Sequence, residues 1–205
     1  MITVDDVVDV IDEEAEEDLM RMAGVQETDI TESVFEASKN RVLWLLINLV
    51  TAILASMVIA IFDASIEQMV ALAVLMPIVA SMGGNAGTQT MTVTVRAIAT
   101  RELTSTNVKR VIFREFSIAV VNGVIIAVII GLLSWYWFAN MALGGVMGAA
   151  MVVNIIMAGL AGILIPITLD KMDIDPALAS SIFVTTITDV VGFFAFLGLA
   201  ALVLL

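Results

Sequence analysis

From residue 41 onward the sequence runs in long apolar stretches separated by short polar breaks. Five of them, 41–62, 68–99, 111–138, 142–169 and 177–205, are long enough to cross a hydrocarbon core of ~30 Å. The pattern predicts an all-α membrane protein with five transmembrane helices. The second stretch is oversized and contains "PIVASMGGNAGTQTMTVTVRA" (77–97), whose proline, glycines and amides predict a kinked or broken helix near Pro77 and Gly83–Gly87. Ahead of the first span, Val4, Val8, Ile11, Ala15, Leu19 and Met22 recur at helical steps. That spacing predicts an amphipathic helix over 1–24, ended by Gly24, with a polar linker over 25–40 before the five-span domain at 41–205. No internal repeat relates the spans, so an inverted-repeat carrier is not supported.

Composition sharpens this picture. The 205 residues are 60% hydrophobic and 15% charged, with a mean hydropathy of +1.06, which no ordinary soluble domain combines with such runs. The net charge of −12 is local. Residues 1–36 hold thirteen acids and one base, Arg21, whereas 37–205 hold eight of each. Cysteine and histidine are both absent, which excludes disulfides, thiolate or imidazole metal sites and any histidine-dependent catalysis. Metal chemistry must then use oxygen ligands, which suit Mg²⁺, Mn²⁺, Co²⁺ or Ca²⁺. The span bases Lys39, Arg41, Arg96, Arg101, Lys109, Arg110, Arg114 and Lys171 fall at one side of a five-span arrangement. The positive-inside rule places the N-terminus in the cytoplasm and the C-terminus outside the cell membrane.

Candidate chemistry concentrates at two places. Asp189, in "VTTITDVVGFF" (184–194), lies about twelve residues into the last span, which is ~18 Å deep at ~1.5 Å per residue. A carboxylate there marks a functional site by default. Thr185, Thr186 and Thr188 surround it with hydroxyls, and no lysine or arginine lies at comparable depth. An acid without a protein counter-ion suggests a transported cation: either H⁺ or a metal in a watery path. Mg²⁺ fits because it keeps much of its water and is held through few carboxylates. The second place is the polar stretch, where Gly83, Gly84 and Gly87 could open the backbone and Asn85 adds an amide. Such a segment survives at membrane depth only against protein or along a water-filled cavity, and a bulky side chain at Gly84 should disturb it. Gly144 and Gly148 form a small-xxx-small face that serves either intrachain packing or a contact between subunits.

"PIVASMGGNAGTQTMTVTVRAIATREL" (77–103) and "DPALASSIFVTTITDV" (175–190) resemble the second-span and final-span signatures of the MgtE magnesium channel family. The resemblance extends over essentially the whole chain. It implies a homodimer with five spans per subunit and a pore at the subunit interface. Asp189 matches the position that holds hydrated Mg²⁺, and Thr185 the position whose backbone carbonyl assists. Gly83, Gly84, Asn85, Gly87, Ser181 and Thr186 become pore-lining candidates. The family carries asparagine at the position of Ser181, so an amide role there does not transfer. The acidic segment resembles the end of a CBS domain running into the connecting, or plug, helix. Its Asp6, Asp9, Glu14, Glu17 and Asp18 match regulatory Mg²⁺ positions. The cytosolic N and CBS domains that would complete that sensor are not in this sequence, which therefore reads as a piece of a longer protein.

The reading is a passive, Mg²⁺-selective channel domain with no nucleic-acid partner: no GxxxxGK[ST] loop is present to support pumping, and without histidine, cysteine or an acid pair at depth an enzyme is not expected. Two rivals stand beside it. One is an H⁺- or Na⁺-coupled divalent-cation carrier that titrates Asp189. The other is a membrane sensor or scaffold without transport.

Overall fold

The computed structural model describes residues 33–205 apart from Ser105. The acidic helix expected over 1–24, with Asp6, Asp9, Glu14, Glu17 and Asp18, lies outside the described residues. The described chain is helical throughout: α1 (Val34–Ala60), the short α2 (Asp63–Gln68), α3 (Ala71–Ala99), α4 (Val108–Phe138), α5 (Met141–Lys171) and α6 (Pro176–Val203). Five of these are long and apolar enough to cross a membrane, as expected: Ala37–Ile61, Ala71–Ala99, Val108–Phe138, Met141–Lys171 and Ala179–Val203.

Two boundaries differ from the sequence reading. α1 begins at Val34, inside the expected linker, because "VFEASKNR" contains no glycine or proline to stop a helix that the following apolar run continues. The second run divides: its first residue, Gln68, ends α2, Met69 and Val70 lie between the helices, and α3 starts at Ala71. From there α3 is one continuous helix through Pro77 and all three glycines, which corrects the expected break. Pro77 lies in the second turn, where its missing N–H and ring disturb only the first carbonyls. Of the glycines further along, Gly83 and Gly87 serve close packing instead of opening the backbone.

Helix starts follow local chemistry. At α5 the Asn140 side chain accepts a hydrogen bond from the Leu143 amide at 3.0 Å. At α6 the Asp175 carboxylate accepts one from the Ala177 amide at 2.9 Å, with Pro176 at the first helical position. The Asp-Pro-Ala-Leu sequence is thus a helix start, built from an acceptor cap and a residue whose N–H would be orphaned anyway.

The core centres on α5. Leu143, Met147, Ala150, Met151 and Ile155 are buried against Leu72, Leu75 and Val79 of α3 and Phe196, Leu197 and Ala200 of α6. α4 packs along another side of α5, and α1 lies against α6 with Ala55 as its one buried apolar residue among those described. Close approach of α4 and α5 depends on the small residues noted above. A Cβ at Gly144 would lie 2.5 Å from the Gly131 carbonyl, and one at Gly148 would lie 3.1 Å from that of Ala127. The Gly144/Gly148 face therefore serves packing within the chain. α3 and α4 scarcely touch, which leaves a groove between them.

Candidate ion path

α3 and α6 lie side by side. A Cβ at Gly87 would meet Val184 Cγ1 at 2.5 Å and Thr188 Cγ2 at 3.5 Å, so only hydrogen at position 87 permits this approach. Both Gly87 and Thr188 are buried. Their chain neighbours are not: Thr88 is exposed and Asp189 is half-buried. The contact thus brings the two regions singled out in the sequence next to one another.

Asp189 stands at the middle of α6, which runs from Pro176 to Val203. Apart from Arg114, Arg96 and the other bases near helix ends, no lysine or arginine is available along the described helices. No salt bridge to Asp189 is formed among the described residues, and no three acids there gather into a cage that could hold a bare ion. The neighbouring threonines have separate tasks. Thr186 Oγ1 donates to the Ile182 carbonyl at 2.6 Å. Thr188, fully buried, donates to the Thr185 carbonyl at 2.9 Å. Thr185 itself is exposed and Ser181 half-buried. The Thr185 carbonyl, whose regular helical donor is the Asp189 amide, therefore also receives the Thr188 hydroxyl. That hydroxyl fixes the backbone oxygen next to the carboxylate.

The polar stretch presents two faces. Gly83 and Gly87 are buried inside the subunit, against Asn154 and Val184 respectively. On the other face Ser81, Asn85, Thr88 and Thr92 are exposed at spacings of four, three and four, one stripe along the helix. The Asn85 amide lies 3.5 Å from Ser81 Oγ, at the outer limit of a hydrogen bond, so its donors and acceptor are nearly unclaimed. Gly84 meets nothing within 4 Å. The close approach expected at Gly84 is thus not made among the described residues.

Sequence reasoning missed the groove between α3 and α4. Two adjoining cavities of about 240 and 200 Å³ share Gln89 and Asn122, and the larger also takes in Thr90, Arg114 and Glu115. Glu115 is buried and paired with the largely exposed Arg114 at 2.8 Å. The signal was present as an Arg-Glu pair in the second turn of an apolar helix, with Asn122 two turns further along the same helix face. The sequence reading places Arg114 in the basic belt and gives Glu115 no role.

A family model described as MgtE, divalent cation transporter, matches residues 76–199. The chain is 35% identical over 202 residues, 98% of its length, to the magnesium transporter MgtE of Bacillus subtilis. It is 34% identical to proteins of the same name from Enterococcus faecalis, over 98% of the chain, and Thermus thermophilus, over 100%. It spans 45%, 45% and 46% of those three proteins, a little under half the length of each.

Proposed function

The chain belongs to the MgtE family of divalent cation transporters, and from that premise we propose that it forms the membrane-crossing part of a Mg²⁺ channel. Two copies associate through the exposed polar face of α3, and the ion passes between them down its electrochemical gradient. One observation carries the proposal: a carboxylate at the middle of an apolar helix, half-exposed and without a basic partner among the described residues. Facing lipid, that group would be costly. Facing its own copy across a twofold axis, it supplies one of two charges to a cation on the axis.

The chemistry favours an ion that keeps its water. One carboxylate per subunit cannot replace the six ligands of Mg²⁺, but two carboxylates and their neighbouring carbonyls can accept hydrogen bonds from its bound waters. Asp189 provides the charge and Thr185 the assisting carbonyl, held by Thr188. Asn85, Thr88 and Thr92 of α3 line the approach as neutral donors and acceptors. Gly84, with open space beside it, lets the two α3 helices or the hydrated ion come near. Mn²⁺, Co²⁺ and Ca²⁺ accept the same oxygens, so discrimination rests on the width of the path and on how much water each ion retains. In this reading the N-terminus is cytoplasmic, which the belt of bases at one end of the bundle supports through the positive-inside rule. Asp6, Asp9, Glu14, Glu17 and Asp18 then bind regulatory Mg²⁺ weakly unless opposing cytosolic domains complete the sites.

Mg²⁺ uptake by liposomes carrying the purified protein tests this. Asp189→Asn keeps the shape and removes the charge, and should lower uptake by at least about tenfold, equivalent to roughly 1.4 kcal/mol at the ion site, without loss of the dimer on a sizing column. Wild-type uptake in that variant would remove Asp189 from the path. Flux that collapses with a protonophore at clamped potential would instead favour a coupled carrier.

A further inference from the structure

We propose that Asn154 of α5 is a positioning residue for the ion path, holding α3 and the Asp189-bearing helix α6 at a fixed separation. This rests on the reading of Asp189 as the ion-holding group. Asn154 is completely buried. Its Nδ2 donates to the Val79 carbonyl of α3 at 2.8 Å, across 75 residues of sequence, while its Oδ1 has no partner among the described residues. A bundle in lipid has no reason of stability to keep a half-satisfied amide where leucine would pack.

The fit around that amide gives the reason. A Cβ at Gly83 of α3 would lie 2.4 Å from Nδ2 and 2.8 Å from Oδ1. One at Gly192 of α6 would lie 2.7 Å from Nδ2 and 3.0 Å from Oδ1. The amide is thus gripped between two helices, each of which has given up its side chain to admit it. One of those glycines sits in the polar stretch. The other follows Asp189 by three residues, one turn of the same helix. Whatever fills this notch determines how far α6 stands from α3, and so where Asp189 stands relative to Asn85 and Thr88. Selectivity among hydrated divalent ions depends on such widths, so Asn154 acts on the ion without touching it.

The test compares Mg²⁺ and Ca²⁺ uptake by liposomes for Asn154→Leu, Gly192→Ala and the double variant Asn154→Ala/Gly192→Ala. Asn154→Leu keeps the branched shape, with larger tips, but cannot hold Val79, and Gly192→Ala pushes the amide out. Each should shift the Mg²⁺ to Ca²⁺ ratio by at least about threefold, since the path width changes. The double variant refills the notch and should return part of that shift. An unchanged ratio in all three, with uptake following only the amount of folded protein, would overturn the proposal. The chain has no cysteine, so spin labels at Val93→Cys on α3 and Phe183→Cys on α6, both half-exposed, report the helix separation directly. An altered distance distribution in Asn154→Leu, or in Asn154→Ala should leucine prevent folding, supports the positioning role. An unaltered one overturns it. Absence of Mg²⁺ uptake by the wild-type protein would refute the transport reading alone, and the label distances would still decide the role of Asn154.

Discussion

α5 and α3 divide as two helices of an aqueous protein would, the more apolar one buried and the more polar one uncovered. α5, with a mean hydropathy of 2.3, is buried along most of its length, whereas α3, the least apolar span at 1.3, is mostly uncovered. Its inward face, from Leu72 to Val95, is apolar or glycine except for Thr94, whose hydroxyl is bonded to the Thr90 carbonyl, and its outward face carries Ser81, Asn85, Thr88 and Thr92. In water such a helix would be an ordinary amphipathic surface element. In a bilayer the same pattern is unstable facing lipid, because unclaimed amides and hydroxyls find no partner in hydrocarbon. The comparison teaches that α5 completes a structure within the chain, whereas α3 completes one only with something beyond it: water, an ion or a second copy.

Breaking the packed side should have the largest effect. A Cβ at Gly162 of α5 would lie 2.7 Å from the Gly87 carbonyl and 3.0 Å from the Met91 amide. Those are backbone atoms, so relief requires the helices to separate. Gly162→Leu should cost about 3 kcal/mol or prevent folding, seen as loss of a monodisperse peak and a lower melting temperature in detergent. Gly145 of the same helix meets nothing within 4 Å, and Gly145→Leu should melt as the wild type does. Equal damage from both would show that α5 is not the closed core described here.

The exposed side should respond in the opposite sense. Asn85→Leu replaces a nearly unclaimed amide with an apolar group. The fold of one subunit should be unaffected, within about 0.5 kcal/mol as for surface changes, while Mg²⁺ uptake drops severalfold. Gly84→Leu sharpens the point, because it fills open space within the chain. Subunits that dissociate or stop conducting while the helical content and melting temperature hold would place another molecule against Gly84. A variant that associates and conducts normally would remove this face of α3 from both the interface and the path.

Much of this was legible in advance, and the limits are physical. Span number and approximate bounds follow from apolar length, which the bilayer thickness fixes. Asp189 was visible because a lone acid in "VTTITDVVGFF" is costly wherever the helix faces. The continuity of α3 was not legible. Proline and glycine lower helix propensity in isolation, but Gly83 and Gly87 are retained for contacts to Asn154 and Val184 that only tertiary structure supplies. Asn154 was invisible for the same reason: one amide in an apolar helix does not announce which neighbours are glycines. Glu115 was not legible either, because a sequence does not show that one charge is buried beside a groove while its partner reaches solvent.

The smallest expected effect separates the two tasks of α6. Thr188 is buried against Gly87 and gives its hydroxyl to the Thr185 carbonyl, so it belongs to the packed side by position and to the ion path by its hydrogen bond. Valine reproduces its shape and removes only the hydroxyl. The carbonyl keeps its helical donor, so Thr188→Val should cost no more than about 1 kcal/mol, a fall of roughly 2–4 °C in melting temperature for a domain of this size. Packing at Gly87 should be unchanged. Mg²⁺ uptake should fall by about twofold to threefold, well short of the loss from Asp189→Asn, since the carboxylate holds the charge and the carbonyl only assists. Uptake measured beside the melt in one preparation decides it. A loss as large as that of Asp189→Asn, at an unchanged melting temperature, would make the Thr188 hydroxyl part of the path itself. Unchanged uptake with the expected fall in melting temperature would leave Thr188 wholly to packing and Thr185 without its assigned role.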